Sequence, residues 1–323
     1  ATQFDCYAPV RFSGKGRFSD TDLIRYAKIS SLADIVTDRK STYSPKEMVF
    51  PITQTVFHFV NGTYTVPDIP DRGIIIFLRP CDINGIERID TIFLANGKTA
   101  DPYYQRLREK VKYFMIECAE SFENCFCVSM QSNTAENYAA AFRFGEEVLA
   151  ECRDEAFAPL FDEYGSAAEY AVRFVAENAV RVTPPTVETM PRELFEDPMW
   201  EEYTARCIAC GRCNTTCVTC SCFTTKDVFY DENAAAGERR RTWASCHVDG
   251  FTDMAGGHSF RKKNAQRMRF KTFHKVYDYR KRFGRNMCVG CGRCDDNCPE
   301  YISFSTAVNR LSERLQNGGS CGN

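Results

Sequence analysis

Two stretches of this sequence share one cysteine spacing, CxxCxxCxxxC: CIACGRCNTTC at residues 207–217 and CVGCGRCDDNC at residues 288–298. The first three thiolates of such a run bind irons of one cubic iron–sulfur cluster. The fourth usually binds the other cluster of a pair. The two stretches therefore predict two neighbouring [4Fe-4S] clusters. Pro299 follows the second stretch, as in the bacterial ferredoxin pattern. Zinc is the alternative metal, but zinc sites lack a tandem of four-cysteine runs.

The ferredoxin rule predicts which cysteines share a cluster, because the fourth cysteine of each run crosses to the other site. One predicted set is Cys207, Cys210, Cys213 and Cys298, and the other is Cys288, Cys291, Cys294 and Cys217. Clusters that are fully ligated by cysteine transfer electrons and leave no open iron for substrate. The sequence also has no GxGxxG motif that opens a helix after a strand, no phosphate loop and no GxSxG elbow. We therefore expect an electron relay without catalytic residues.

Four further cysteines predict a third [4Fe-4S] cluster. Cys81 follows the apolar run 74–78, and Cys118 follows the apolar run 111–116. If both runs are parallel strands, their carboxyl ends meet at one edge of the sheet, where ligand sites gather. Cys125 and Cys127 would complete the set of four ligands. The alternative is four buried cysteines that act as small apolar side chains.

The remaining cysteines and histidines have weaker patterns. Cys220, Cys222 and Cys246 lie near the first run and could replace a ligand or bind another metal with His247, although packing around the cluster is the favoured interpretation. Cys6, Cys152 and Cys321 are predicted to be ordinary thiols, and His58 and His274 to be structural. His258, after Gly256-Gly257, could hydrogen-bond near a cluster.

Composition is that of a soluble globular protein, with 44% hydrophobic and 26% charged residues. The sequence has no apolar run long enough for a transmembrane helix and no signal peptide, so we expect a cytoplasmic protein without a membrane partner. In such a setting the 18 cysteines indicate metal ligands rather than disulfides. Exposed clusters would further suggest an anaerobic environment.

Charge is unevenly placed: residues 238–285 hold 14 Lys and Arg against 4 Asp and Glu, although the whole chain has a net charge of −2. This basic block could bind nucleic acid. Its position between the cysteine runs instead favours stabilisation of reduced clusters or attraction of an acidic partner, so no nucleic-acid partner is expected. A solvated basic helix face is the other interpretation.

The pattern along the chain predicts two domains. Residues 1–185 are predicted to form an α/β or α+β domain. Its predicted elements are a hairpin with its turn at Asn61-Gly62, a strand at 73–78, a helix capped by Asp82 and a strand at 111–116. Prolines punctuate a linker at 186–200. Residues 201–323 then read as an all-helical ferredoxin domain, with 70 residues between Cys217 and Cys288 and an apolar stripe that ends near Asn317-Gly318-Gly319.

Together these motifs resemble a known family, the iron–sulfur electron-transfer subunit of anaerobic sulfite reductase. The resemblance spans nearly the whole chain and rests on RPCD at 79–82, EC at 117–118, SFENCFCVSM at 121–130, the first cysteine run, GERRRTWASC at 237–246, DMAGGH at 253–258 and CVGCGRCDD at 288–296. Val218 departs from it, because proline is common after the fourth cysteine. The same outline is similar, less closely, to the iron–sulfur β subunit of cytosolic nickel–iron hydrogenases with sulfur-reducing activity.

The resemblance to sulfite reductase implies a three-subunit enzyme that reduces sulfite to sulfide. In that family a flavin subunit, with FAD, oxidises NADH, and a sirohaem subunit reduces sulfite. This chain would relay electrons between them as the non-catalytic subunit. One alternative is the hydrogenase β subunit. A second alternative belongs to a different functional class: an iron–sulfur protein that binds nucleic acid or has a regulatory role.

Overall fold

The computed structural model describes residues 3–18 and 20–317, which form two sheets and a set of mostly short helices. The strands are β1 Phe4–Phe12, β2 Leu23–Lys28, β3 Thr53–Val60, β4 Thr63–Thr65, β5 Gly73–Leu78, β6 Val111–Ile116, β7 Ala140–Phe144, β8 Val148–Cys152, β9 Phe223–Phe229 and β10 Ala236–Trp243. The α-helices are α1 Pro80–Leu94, α2 Pro102–Arg108, α3 Ala158–Tyr164, α4 Glu202–Arg206, α5 Arg212–Thr215, α6 Asn264–Phe273, α7 Tyr279–Phe283, α8 Arg293–Asp296 and α9 Phe304–Asn317. A π-helical turn, His274–Asp278, joins α6 to α7, and short 3-10 turns span Leu32–Asp34, Pro45–Met48, Arg192–Phe195 and Pro198–Trp200.

The first sheet has the order β2-β1-β5-β6-β7-β8. The strands β1, β5, β6 and β7 run parallel, while β2 and β8 close the two edges antiparallel. The predicted strands at 73–78 and 111–116 are confirmed as the neighbours β5 and β6, connected through α1. Their carboxyl ends therefore meet at one edge, from which the chain continues into Cys81 and Cys118.

The second sheet, β4-β3-β10-β9, is antiparallel. The predicted hairpin is confirmed in β3 and β4, where Asn61 and Gly62 adopt φ angles of 48° and 80° as a tight two-residue turn requires. Strands β9 and β10 lie after residue 201, so the expectation of an all-helical ferredoxin domain is wrong. The segment 223–229 carries β-branched and aromatic residues, and β10 pairs with β3, a distant partner that a local pattern does not reveal.

Helix α1 begins differently from the prediction. Its N-cap is Arg79, with Pro80 at the first helical position, where a missing N–H costs nothing. Asp82 is not the cap; its carboxylate is fully buried and accepts two hydrogen bonds from Arg293, at 2.6 and 2.8 Å. Arg293 also donates to the carbonyl and hydroxyl oxygens of Ser41. This ion pair joins the first turn of α1 to the second cysteine run.

The main core lies between α1 and the first sheet, where Ile83, Ile86 and Ile89 are fully buried. Val218, directly after the first cysteine run, and Val289, within the second, belong to the same core. Gly85 permits this approach, because a Cβ at that position would lie 2.3 Å from Val218 Cγ1. The first half of the chain therefore supports the cysteine loops directly.

A second core lies among the C-terminal helices and includes Met268, Phe304 and Leu311. The apolar stripe at 304–315 is confirmed as α9, whereas its predicted end at Gly318 lies outside the described residues. Trp200, in the expected linker, is buried in this core, and its Nε1 donates to Leu194 O at 2.8 Å. The division into residues 1–185, 186–200 and 201–323 remains a prediction. None of the helices in residues 3–18 and 20–317 is long and apolar enough to cross a bilayer.

The buried ion pair leads to a prediction about stability. Replacing Asp82 with alanine leaves the Arg293 guanidinium buried without its counter-ion, and we expect the free energy of unfolding to fall by about 3–5 kcal/mol. The measurement is urea-induced unfolding of anaerobically purified protein, followed by tryptophan fluorescence.

Glu87→Ala is the matched control on the same helix, because Glu87 pairs with Arg285 in a partly exposed contact of 3.4 Å. Such a pair contributes at most about 1 kcal/mol. Equal losses in the two variants would contradict a structural role for the Asp82–Arg293 pair.

Candidate iron–sulfur sites

Both cysteine runs fold into the same kind of loop. The backbone N–H of Ala209 donates to Cys207 Sγ, and that of Gly290 donates to Cys288 Sγ, each at 3.4 Å. Residues 209, 211, 290 and 292 have φ angles between 55° and 72°, which curl each loop around its cysteines. Hydrogen bonds of this type to ligand sulfurs are one of the features that set the reduction potential of an iron–sulfur cluster.

The loop of the second run lies against the loop that carries Cys125 and Cys127. A Cβ at Gly290 would be 2.4 Å from Phe126 O, and one at Gly292 would be 2.2 Å from Asn124 O. The N–H of Phe126 also donates to Gly290 O at 2.7 Å. Glycine is therefore required at both positions, because the two loops pack backbone against backbone.

A cavity beside α6 is bordered by cysteines of both runs. They are Cys207, Cys210 and Cys213 from the first run, with Cys294 and Cys298 from the second. Burial raises the pKa of Cys207, and the thiols of Cys213, Cys210 and Cys298 raise it further. The structure thus brings the last cysteine of the second run to the first three of the first run. We call this group of four the first site.

The reciprocal group gathers around Cys217. Burial raises the pKa of Cys288 to about 12, and the neighbouring thiols of Cys217 and Cys291 add to the increase. Cys294 lies beside Cys288 and Cys291. We call Cys217, Cys288, Cys291 and Cys294 the second site. Because Cys294 also borders the cavity of the first site and α5 packs against α8, the two sites adjoin.

The four N-terminal cysteines also converge, at the carboxyl ends of β5 and β6. Burial raises the pKa of Cys127 to about 11, and the nearby thiols of Cys125 and Cys118 contribute. Cys81 lies close to Cys127 and to Cys291 of the second site. Cys125 Sγ lies 3.6 Å from Cys291 O. We call Cys81, Cys118, Cys125 and Cys127 the third site; it borders the second.

Buried lysines surround these sites, and the sequence analysis did not single them out. Lys271 and Lys275, one helical turn apart, are 4% and 3% exposed. Burial lowers the pKa of Lys271, but the negative charge of the Cys213 and Cys294 thiolates outweighs this effect and holds the pKa well above its usual value. Lys275 Nζ donates to Thr219 Oγ1 at 2.7 Å, beside Cys217. The i, i+4 spacing within the basic block is the signal that could have revealed a common inward face.

Two more lysines come from the first half of the chain. Lys40 Nζ lies 3.7 Å from Cys125 Sγ and donates to Cys291 O at 2.8 Å, between the second and third sites. Lys46 Nζ donates to Asn214 O and Cys220 O, and it lies 4.1 Å from the centre of the Trp243 ring. Lys40 already has a counter-ion, because its Nζ lies 2.6 Å from Asp296 Oδ2. Among the described residues, the buried ammonium groups of Lys46, Lys271 and Lys275 form no ion pair with a carboxylate. These three suit anionic cofactors, because a buried charge requires an opposite one nearby.

His247 borders the cavity of the first site and is 1% exposed. Neither ring nitrogen has a hydrogen-bond partner among the described residues, and burial lowers its pKa to about 3. An imidazole N–H facing a cavity lined with cysteines suits hydrogen bonding to a cluster sulfur. His258, by contrast, is exposed on a turn.

The other predicted thiols and histidines are not among the cysteines of the three sites. Cys6 is in β1 and Cys152 in β8, while Cys321 lies outside the described residues. His58 is in β3, 3.5 Å from the Tyr230 hydroxyl. His274 stacks on Phe270, and burial lowers its pKa to about 4.

Cys220, Cys222 and Cys246 lie beside the first and second sites. The thiol of Cys220 neighbours that of Cys217, and the thiol of Cys222 neighbours that of Cys246. Asn214 Nδ2 lies 3.0 Å from Cys246 Sγ. Within residues 3–18 and 20–317, no three His, Cys, Asp or Glu side chains converge closely enough to surround a single metal ion. A [4Fe-4S] cluster instead binds each cysteine at a separate iron atom.

Comparisons with known proteins agree with an iron–sulfur protein. Residues 206–302 match the family model of the 4Fe-4S dicluster domain. The chain is also 27% identical to the beta subunit of sulfhydrogenase 2 from Pyrococcus furiosus, over 332 aligned positions that cover 96% of this chain and 92% of the relative. No solved structure matches the chain.

These matches support two conclusions. The cofactors are [4Fe-4S] clusters, and the role of the chain is electron transfer in an oxidoreductase complex. They do not support the expectation of a sulfite reductase. They favour the alternative, a hydrogenase β subunit. The number of clusters, the individual ligands, and flavin and sirohaem partner subunits remain predictions.

The buried lysines lead to a prediction about reduction potential. Replacing Lys271 with methionine removes a positive charge beside the first site and should make cluster reduction less favourable by about 1–2 kcal/mol. For a one-electron couple this corresponds to a potential lower by roughly 50–90 mV. The measurement is a redox titration monitored by electron paramagnetic resonance.

Lys281→Met is the control, because Lys281 is exposed in α7. It should leave all potentials within about 10 mV of the wild type, since exposed charges are screened by solvent. Unchanged potentials in Lys271→Met at full iron content would show that this lysine does not act on the cluster.

Proposed function

We propose that this chain is the iron–sulfur subunit of an oxidoreductase complex and relays electrons through three adjoining [4Fe-4S] clusters. The observation that carries the proposal is the convergence of twelve cysteines into three groups of four that border one another. The proposed clusters would bind no substrate, because every cluster iron would be occupied by a cysteine.

The proposed ligands follow the three groups. Cys207, Cys210, Cys213 and Cys298 bind the cluster of the first site; Cys288, Cys291, Cys294 and Cys217 bind that of the second; Cys81, Cys118, Cys125 and Cys127 bind that of the third. Two features support this assignment: the positive charge of the buried lysines beside the cysteines, and the ring of His247, whose nitrogens have no hydrogen-bond partner among the described residues.

The sites follow one another as third, second, first. The third meets the second through Cys125 and Cys291, and the second meets the first through Cys294. Cys210 is exposed, and so is its neighbour Ile208, with 60% of its surface accessible. Electrons would therefore enter or leave the first cluster at the surface, where a redox partner can approach.

The resemblance to the sulfhydrogenase beta subunit makes a hydrogenase complex our first choice for the partner. In that complex the chain would exchange electrons with a nickel–iron catalytic subunit. The second choice, favoured by the motifs at 79–82 and 121–130, is a sulfite reductase with separate flavin and sirohaem subunits.

The described side chains argue against a nucleic-acid surface on the basic block 238–285. Arg239 pairs with Asp227 at 2.8 Å, and Arg241 with Asp101 at 2.6 Å. Lys271 and Lys275 face inward toward the cysteines. Several positive charges of the block are thus paired with carboxylates or buried, whereas nucleic-acid binding depends on exposed charge that is free to meet phosphates.

Iron and acid-labile sulfide analysis tests the three clusters. Anaerobically purified protein should contain about twelve iron atoms per chain. Replacing Cys125 with serine should lower this number to about eight, while the signals of the two remaining clusters persist. Cys152→Ser, a thiol outside the three sites, should keep the full content. About eight irons in the wild type would remove the third cluster from the proposal.

Co-purification of the tagged chain from its own cells tests the partner. The expected results are a nickel-containing partner protein and hydrogen oxidation by the complex. The absorption bands of sirohaem, together with sulfite reduction, would select the second choice. A chain that carries its clusters but purifies without any redox partner would contradict the role as a subunit.

A further inference from the structure

Three cysteines lie outside the proposed ligand sets and close to them: Cys220, Cys222 and Cys246. Cys222 immediately precedes β9, and Cys246 follows the end of β10. The ladder pairs Phe223 with Trp243, and Ala244 N donates to Cys222 O at 2.9 Å. The two segments therefore leave the hairpin side by side, and the side chains of Cys222 and Cys246 are neighbours.

This contact distinguishes the pair from cluster ligands. Each cysteine of a [4Fe-4S] cluster binds its own iron corner, and two ligands of one cluster are therefore held apart. The other polar neighbour of Cys246 is Asn214, whose side-chain Nδ2 points at the sulfur from 3.0 Å. An amide N–H stabilises a sulfur as a hydrogen-bond donor but cannot bind a metal ion.

The surroundings favour a reactive thiol. Lys46, Lys275 and Arg261 all lie near the pair. The neighbouring thiol of Cys246 and the charge of Lys275 lower the pKa of Cys222, against the effect of burial. Cys222 is also partly accessible to solvent. Thiols in partly exposed, electropositive surroundings are those that enter redox chemistry.

The pair of Cys222 and Cys246 lies close to both sites of the tandem. Asn214, which contacts Cys246, directly follows Cys213 of the first site. Cys220, two residues before Cys222, neighbours Cys217 of the second site. Electrons therefore have a short path between the thiols and either cluster.

We propose that Cys222 and Cys246 form a redox-active dithiol beside the relay, an inference that rests on the proposed function. Oxidation forms one S–S bond and releases two protons and two electrons. Two oxidised [4Fe-4S] clusters accept one electron each. The reverse step takes an electron from each of two reduced clusters and two protons from solvent. The dithiol thus holds an electron pair next to cofactors that pass single electrons.

The test uses the full-length protein with its clusters, poised anaerobically at a series of potentials with redox mediators. Free thiols are alkylated, and the peptides that contain Cys222 and Cys246 are analysed by mass spectrometry. The expected result is a 222–246 disulfide at high potential that disappears at low potential, while the iron content stays constant. Alkylation of both thiols at every potential, with clusters that still cycle, would overturn the proposal.

Variants distinguish a redox-active dithiol from a role of Cys222 and Cys246 as cluster ligands. Cys222→Ser and Cys246→Ser should abolish the disulfide and keep the iron and sulfide content of the wild type. Cys152→Ser should leave the disulfide intact. Loss of about four irons in either of the first two variants would identify a cluster ligand and overturn the dithiol. These outcomes differ from those expected if the chain is not an electron relay. In that case the wild-type protein itself would lack clusters or redox partners.

Discussion

The buried ion pair between Asp82 and Arg293 holds the first sheet against the cysteine runs. Asp82 is in the first turn of α1, directly after Cys81, and Arg293 lies between Cys291 and Cys294. One contact therefore connects the third site to the second. Ser41 accepts two further hydrogen bonds from the guanidinium, and the Tyr26 hydroxyl lies 3.4 Å from the carboxylate. Neither charge is buried without a partner, which is the condition for such a pair to stabilise a fold.

Charge balance around the sites links folding to the cofactors. Lys46, Lys271 and Lys275 bring ammonium groups into the interior, and the ionisable groups around them include cysteines. A neutral thiol cannot compensate a buried cation, whereas an anionic cluster can. Cluster insertion would thus supply both covalent cross-links and counter-charge, and its free energy would contribute to the stability of the folded chain.

Local patterns were sufficient for several elements. The strand at 73–78 is a continuous apolar run, the turn at Asn61-Gly62 needs positive φ angles, and the stripe at 304–315 has helical spacing; each depends only on nearby residues. The hairpin 223–243 was missed because β10 owes much of its pairing to β3, far away in sequence. Asp82 was predicted to be a helix cap because its actual partner, Arg293, lies 211 positions later in the sequence and leaves no local signal.

Sequence alone determined the cofactor chemistry, because cysteine spacing within a short loop decides which thiolates can reach one cluster. It also indicated that Cys81 and Cys118 would leave neighbouring strands. Only the tertiary structure decided how the three sites adjoin, which lysines turn inward toward them, and that Cys222 meets Cys246 outside every ligand set. These arrangements depend on contacts between residues distant along the chain, and such contacts leave no periodic signal in the sequence.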